Sequence, residues 1–145
     1  MEFERIKKMA EEDTRIDGIE LDIESIKIPQ LHNKYLNLLQ DEKLVLRKLM
    51  SEQSKLYRIK WEYYNGKLDK ETLDEYGWEP FQLSILKKDI NIYLESDKEL
   101  SLIRDRVVFQ EVKLEFLEEI LKELNTRHWK IRNAIEWRKF TSGGF

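Results

Sequence analysis

Apolar residues recur along most of the chain at the three- and four-residue spacing of helices, and one short stretch departs from it. Residues 2–13 place Phe3, Ile6 and Met9 on one face of a short acidic helix. Residues 19–24 instead alternate apolar and acidic side chains, which predicts an extended segment and at most one short N-terminal strand. Pro29 fits the first turn of the helix that follows, where its missing N–H costs nothing.

The pattern over residues 29–64 predicts one helix of about 35 residues, which is about 50 Å long. Its apolar side chains follow heptad-like spacing, with Glu42 and Glu52 as interruptions. They are Leu31, Tyr35, Leu38, Val45, Leu49, Leu56, Ile59 and Tyr63. Asn65-Gly66 predicts a left-handed cap at the end of this helix.

The second half of the chain continues the helical pattern after a polar connection at residues 67–79. A short helix is expected at 80–95, and Ser96 with Glu99 predicts the capping box of a last helix at 97–140. The apolar series of that helix suits heptad packing if Gln110 and His128 are accepted in it. It comprises Leu100, Ile103, Val107, Leu114, Leu117, Leu121, Leu124, Ile131 and Ile135.

The predicted fold class is therefore mainly α: a coiled-coil-like bundle of long helices in a single domain of residues 1–145, with a frayed tail at 141–145. Further apolar side chains lie off both series: Leu36, Leu39, Leu46, Val108, Phe116, Trp129 and Trp137. Self-association is the economical explanation for these extra stripes. The alternative is that the short helices at 2–13 and 81–94 cover them within one chain.

Composition excludes several classes of protein. The 145 residues include no Cys, five Gly and two Pro, which excludes disulfide scaffolds and thiolate zinc sites and disfavours a turn-rich sheet protein. No apolar run of about 18 residues occurs, so we expect neither a membrane span nor secretion. A cysteine-free chain fits a reducing cytoplasm.

The formal net charge of −3 conceals blocks of opposite sign. Residues 1–24 carry nine acids and four bases, a balance of −5. Residues 43–70 carry eight bases and three acids, a balance of +5, and residues 127–140 carry five bases and one acid, a balance of +4. A nucleic-acid partner is thus compatible with the acidic total.

Catalysis has little support in the sequence. The two histidines, His32 and His128, lie on different predicted helices, and no metal-binding or phosphate-loop motif is present. We expect a protein that is not an enzyme and that uses no metal or cofactor.

The segment at 55–67 interleaves bases with large aromatic side chains. At 100° per residue, Tyr57, Trp61 and Tyr64 fall opposite the apolar series, with Arg58 and Lys60 beside them. Rings stack on bases and cations bind phosphates, so the pattern suits single-stranded nucleic acid. The alternative is a second packing surface with lysine and arginine side chains at its edge. The predicted DNA-binding residues are Lys43, Arg47, Lys55, Tyr57, Arg58, Lys60, Trp61, Tyr64 and Lys67.

The C-terminal block at 127–140 also mixes bases with aromatics. Cations in the last turns of a helix are partly explained by the helix dipole. Trp129, Trp137 and Phe140 are not, and they are typical of interface anchors.

Two stretches resemble one known family, the UvsY-type recombination mediators of large tailed phages. Residues 58–66, RIKWEYYNG, are similar to that family's run of basic, any, basic, apolar, acidic, Tyr, Tyr, small, Gly. The ending at 138–143, RKFTSG, is similar to the family's Arg-x-Phe-x-x-Gly close, and the order of helices agrees over most of the chain. Trp61 departs from the plain aliphatic residue that the family can have there, and the C-terminal block is more basic.

This resemblance implies a homo-oligomeric ring, hexameric or heptameric, that binds single-stranded DNA in the host cytoplasm. Such mediators help load a RecA-type recombinase onto strands coated by the single-strand-binding protein, and they contact both proteins. The resemblance assigns DNA binding to Arg58 and Lys60, and it leaves open whether Arg132, Arg138 and Lys139 contact DNA. It assigns assembly to the C-terminal helix, for which we expect the contacts Leu114, Leu117, Leu121, Leu124, Trp129, Ile131, Ile135, Trp137 and Phe140. The alternative is a structural or adaptor helical oligomer with no nucleic-acid role.

Overall fold

The computed structural model describes residues 1–81 and 86–143, and these ranges contain helices and no strand. The α-helices are α1 (Phe3–Asp13), α2 (Leu21–Tyr64), α3 (Lys70–Tyr76), α4 (Ile90–Ser96) and α5 (Lys98–Thr141), and a 3₁₀ turn, Lys87–Asp89, precedes α4. The mainly α fold class is therefore confirmed. Residues 82–85 of the helix predicted at 80–95 and the last two residues of the tail lie outside the described residues.

The chain forms two compact units, Met1–Lys43 with Val112–Phe145 and Leu44–Glu111. Both long helices, α2 and α5, contribute to each unit. The core of the first unit is formed by α1, the first half of α2 and the second half of α5. Its buried apolar side chains are Phe3, Ile6, Ala10, Leu21, Tyr35, Leu39, Leu114, Leu117, Leu121, Leu124 and Ile131.

Polar groups are also buried in the first unit. Glu42 and Lys113 form an ion pair with 3.0 Å between Oε2 and Nζ, so the interruption of the apolar series at Glu42 is a paired buried charge. The guanidinium of Arg127, 1 % exposed, donates to the backbone carbonyls of Asp13, Thr14 and Arg15. Carbonyls at the C-terminal end of a helix have no hydrogen-bond donors within the helix, and Arg127 supplies donors to the carbonyls at the end of α1.

The second unit is built on the end of α2, the short helices and the start of α5. Ile90, Leu94 and Leu100 form a buried cluster against which Leu56 and Tyr64 pack. Gly66 adopts φ of 68°, and the amides of Gly66 and Lys67 donate to the carbonyls of Tyr63 and Glu62. This is a Schellman motif, so the predicted left-handed cap of α2 is confirmed.

The extended segment predicted at 19–24 is wrong, because α2 already begins at Leu21. Leu21 and Glu24, three residues apart, are the buried positions there, whereas Ile19 and Ile23 are exposed. Asp22 and Glu24 in the first turn suit the positive end of the helix dipole. Pro29 consequently lies within the helix and not in its first turn.

Two further expectations in the second unit are wrong. The cap of α5 is Asp97, whose Oδ1 accepts from the Leu100 amide at 2.9 Å, whereas the Ser96 hydroxyl donates to the Ile92 carbonyl. Phe81 is not helical, and its ring packs among aromatic side chains, 5.0 Å from the Tyr64 ring between centroids. Among the described residues of the helix expected at 80–95, Leu86 is also not helical, and α4 begins at Ile90 after the 3₁₀ turn.

All positions of the predicted α5 series from Leu100 to Leu124 are buried, as is Ile131, but the series fails at His128 and Ile135. Arg127 is buried and His128, which the series required, is exposed. Of the off-series residues, Leu39 is buried and Phe116 packs on Phe3 with 5.6 Å between ring centroids, so cover within one chain explains part of the surplus. Val108, Trp129 and Trp137 remain exposed.

Candidate nucleic-acid interface

The exposed side of α2 between Arg47 and Trp61 carries bases and aromatic rings. Helical spacing aligns Arg47, Tyr57, Arg58 and Trp61, and all four are exposed. We call these four residues the open face of α2. Lys55 and Lys67 are exposed as well, and Lys43 is an exposed residue of the first unit.

Arg58 is a highly accessible base of the open face. Its side chain is 82 % exposed and pairs with Glu62 one turn later, with 3.4 Å between Nε and Oε1. Exposed pairs of this kind contribute little to stability, about 0.3–0.5 kcal/mol on a helix. The guanidinium can therefore exchange Glu62 for a phosphate at small cost.

Trp61 closes the open face at its C-terminal end. Its side chain is 38 % exposed, and the Lys67 ammonium lies 4.7 Å from the ring centroid. A base can stack on such a ring while the neighbouring cation binds the adjoining phosphate.

Lys60 does not lie on this face. It is 5 % exposed, and its Nζ is 3.0 Å from Oδ2 of Asp97 and 3.3 Å from Oε1 of Glu99. The ammonium also lies 4.0 Å from the ring centroid of Trp78, whose Nε1 donates to Glu99. The side chain is thus surrounded by its own protein, and we call these four residues the Lys60 cluster.

Tyr64 is directed to the same place. Its hydroxyl donates to Oδ2 of Asp97 at 2.6 Å. Burial, followed by this hydrogen bond and the charge of Asp97, raises the pKa of the Tyr64 hydroxyl. Burial alone would raise the pKa of Asp97, but the bonds from Tyr64, the Leu100 amide and Lys60 outweigh it and hold that pKa below its usual value.

The expected exposure of Lys60 and Tyr64 is therefore wrong. Lys60 follows Leu56 by four residues and precedes Tyr64 by four, so the three share one side of α2. That side includes Ile59 and Tyr63, which makes a wide inward stripe at positions i, i+3, i+4, i+7 and i+8. This spacing could have indicated that Lys60 is buried. Nothing in the sequence indicated that Asp97 is its partner.

The basic residues near the end of α5 have separate surroundings. Arg132 pairs with Glu136 and its guanidinium carbon lies 5.6 Å from the Trp129 ring centroid. Arg138 donates to the Ile19 carbonyl at 3.2 Å, and Lys139 is exposed.

The predicted assembly residues divide into two groups. The apolar residues Leu114, Leu117, Leu121, Leu124 and Ile131 are buried within the chain itself, so they are not free to contact another subunit. The exposed group is Trp129, Ile135, Trp137 and Phe140. The rings of Trp137 and Phe140 stack with 5.8 Å between their centroids.

No helix in the described ranges is long and apolar enough to cross a membrane. Within the same ranges, no group of three His, Asp or Glu side chains is placed to hold a metal ion. The fold and the open face of α2 define a helical protein with a surface typical of single-strand binders.

Comparison with known proteins identifies the family. The model of the family described as recombination, repair and ssDNA binding protein UvsY matches residues 9–144, and the chain belongs to this family. It is 21 % identical over 143 residues to the recombination protein uvsY of Enterobacteria phage T4, covering 99 % of each chain.

Two crystal structures of the bacteriophage T4 recombination mediator protein UvsY have the same fold. Lattice type IV gives a TM-score of 0.84 at 19 % identity, with 97 % of this chain and 99 % of that chain covered. Lattice type II gives a TM-score of 0.82 at 19 % identity, with 98 % of each chain covered.

Proposed function

We propose that this protein is a recombination mediator that binds single-stranded DNA without sequence specificity and helps load a RecA-type recombinase onto strands coated by single-strand-binding protein. It acts in phage homologous recombination and repair, in the host cytoplasm. The observation that carries the proposal is the open face of α2, where the accessible guanidinium of Arg58 adjoins the exposed rings of Tyr57 and Trp61. Family membership supports it.

The open face suits binding that ignores sequence. Rings stack on any base, and Lys and Arg bind phosphates that every nucleotide carries. In this proposal Lys43, Arg47, Lys55, Arg58 and Lys67 contact phosphates while Tyr57 and Trp61 stack on bases. Lys60 and Tyr64 support this surface from inside and do not touch the strand.

Assembly into a ring strengthens this weak surface. One subunit offers few cations, but several copies on one strand multiply the contacts and raise the effective concentration of each. We assign the subunit contacts to the exposed aromatic group near the end of α5, Trp129, Trp137 and Phe140. Holding the strand along such a ring would loosen its coat and give the recombinase a place to start.

The experiment is a salt series of binding to a labelled oligo(dT), with sedimentation of the same samples. Arg58→Ala should weaken binding and lower the slope of log K against log salt by about 0.7 for each phosphate that is no longer neutralised. Arg104→Ala is the matched control, because Arg104 is an exposed arginine on α5 outside the predicted DNA-binding residues. Both variants should sediment like the wild type.

Two results would count against the proposal. Equal losses of affinity in the two variants would show that only overall charge matters and that the open face is wrongly assigned. Absence of oligonucleotide binding by the wild type at low salt would instead favour the structural or adaptor oligomer.

A further inference from the structure

A cavity of about 320 Å³ lies in the second unit where α2 ends and α4 begins. Its lining residues are Trp61, Asn65, Lys67, Lys87, Ile90 and Asn91. We call it the Trp61 pocket. Ligand sites range from about 300 to 1,000 Å³, so a cavity of this volume suits one small group.

The pocket lies against well-packed parts of the second unit. Ile90 is 5 % exposed and belongs to the buried cluster of the second unit. The Asn65 side-chain amide donates to the Trp61 carbonyl at 2.7 Å, which fixes Asn65 on the last turn of α2. The pocket is therefore bounded by the last turn of α2 and by the buried first residue of α4.

Cations and an amide are available at its rim. The Lys67 ammonium lies over the Trp61 ring, and Lys87 is an exposed residue of the 3₁₀ turn. Within residues 1–81 and 86–143, Lys87 forms no ion pair and the Asn91 side chain no hydrogen bond. None of the six lining residues carries a carboxylate, so the pocket favours an anion.

An aromatic face, two ammonium groups and an amide are the groups that bind a nucleotide. The ring stacks on the base, the ammoniums bind phosphates, and an amide offers both a donor and an acceptor to the base edge. We propose that the Trp61 pocket takes one nucleotide of the bound strand, with its base on Trp61, its flanking phosphates on Lys67 and Lys87, and Asn91 at the base edge. This inference rests on the proposed function and deepens it.

In this proposal the pocket binds a nucleobase, which a surface that contacts only phosphates does not. Tyr57 and Trp61 on an open helix can stack on bases from one side only, whereas a cavity encloses the base. Each subunit would therefore withdraw one base from the strand and leave the neighbouring bases accessible. Binding should depend on the presence of bases and not on phosphates alone.

The first experiment compares oligo(dT) with an abasic oligonucleotide of equal length, using the full-length protein. Because Trp78, Trp129 and Trp137 also emit, the part of the fluorescence change that Trp61→Phe removes reports the pocket. Anisotropy of a label on the oligonucleotide reports binding. Oligo(dT) should quench the fluorescence, and the abasic strand should bind more weakly and quench little. Trp61→Phe keeps a ring for stacking and should abolish most of the quenching, whereas Trp61→Ala should weaken binding about tenfold.

The second experiment compares Lys87→Ala with Lys88→Ala. Both residues are exposed neighbours in the 3₁₀ turn, but only Lys87 lines the pocket. Lys87→Ala should weaken oligo(dT) binding several-fold and lower the salt slope by about 0.7, and Lys88→Ala should change either quantity much less.

The outcomes separate this inference from the proposed function. If the wild type binds oligo(dT) but the abasic strand quenches equally, or if the two lysine variants behave alike, the pocket is not a nucleotide site and the proposed function stands. If the wild type binds neither strand, the proposed function fails, and the pocket assignment fails with it.

Discussion

The ammonium nitrogen of Lys60 lies 3.0 Å from Oδ2 of Asp97, and both side chains are buried. The contact joins the last turns of α2 to the residue that caps α5, and Tyr64 donates to the same carboxylate. Removing charges from water is costly, but a pair whose remaining groups are hydrogen-bonded recovers much of that cost. A base inside the motif that resembles a DNA-binding element thus serves the fold of the second unit.

Lys60→Ala should therefore affect stability more than DNA contact. It leaves Asp97 buried without its cation, which costs about 3–5 kcal/mol for a buried pair. Urea unfolding at fixed protein concentration measures this effect. Arg58→Ala is the control, because an exposed helix residue changes stability by about 0.5 kcal/mol or less. Equal urea midpoints for the two variants would contradict the structural role of Lys60.

The loss of folding stability at acidic pH should depend on Asp97. Its pKa is lower in the folded protein than its usual value, so its contribution is present above about pH 4, the unfolded value, and is lost as pH falls through the folded value. Asp97→Asn should reduce stability at neutral pH and flatten this acid loss. The measurement is the urea midpoint as a function of pH.

Asp13 should behave in the same way in the first unit. Burial alone would raise its pKa, but hydrogen bonds from Lys34 and Tyr35 and the charges of Lys34 and Arg127 hold the pKa below its usual value. Asp13→Asn should therefore also flatten the acid loss. Asp105→Asn, at an exposed position on α5, is the control for removal of a carboxylate. An identical acid profile in all three variants would contradict both assignments.

Arg127 should be one of the most sensitive positions in the first unit. Replacing it with Met keeps an unbranched apolar stem but leaves the carbonyls at the end of α1 without their donors. Each hydrogen bond to a charged group contributes about 1.5–3 kcal/mol, so the variant should be destabilised by at least about 3 kcal/mol. Arg132→Met, at an exposed site on the same helix, should be nearly neutral. A similar thermal midpoint for both would show that the three carbonyls do not need Arg127.

The spacing of apolar residues predicted the two long helices well, because the residues that repeat every three or four positions are the ones that the fold buries. Along α5 every position that the spacing selects from Leu100 to Leu124 is buried, and Lys113, which it does not select, is buried through its ion pair with Glu42. The hydrophobic pattern gave the wrong secondary structure at residues 19–24. The same six residues that alternate as in a strand also place Leu21 and Glu24 three positions apart, as on one face of a helix, and these two are the buried residues. Over so short a stretch, the acidic first turn of α2 decides the outcome.

The candidate site was harder to predict because sequence patterns treat charged residues as solvent-exposed. Arg58 and Lys60 differ by two positions, which is about 200° around a helix, so one can face water while the other is buried. Lys60 is buried only because Asp97 and Glu99, far along the chain, supply its partners. Arg127 likewise depends on the end of α1. No local pattern contains these partners.

Assembly should depend on the exposed rings near the end of α5. Trp137 and Phe140 are 65 % and 76 % exposed, and truncated interface anchors of this kind often cost about 2 kcal/mol or more. Trp137→Ala with Phe140→Ala should therefore shift sedimentation toward smaller species at equal concentration while helix content is retained. Leu102→Ala, an equally exposed apolar residue on α5, is the matched control.

Assembly is better tested by point substitutions than by truncation of α5, because the apolar residues from Leu114 to Leu124 belong to the core of the first unit. Truncation before Leu114 would remove Leu117, Leu121 and Leu124, which are core residues of the first unit, so smaller species would then reflect unfolding. The double alanine variant changes only exposed rings. If it sediments like the wild type while Leu102→Ala dissociates, subunit contact lies on the second unit's part of α5 and not at its C-terminal end.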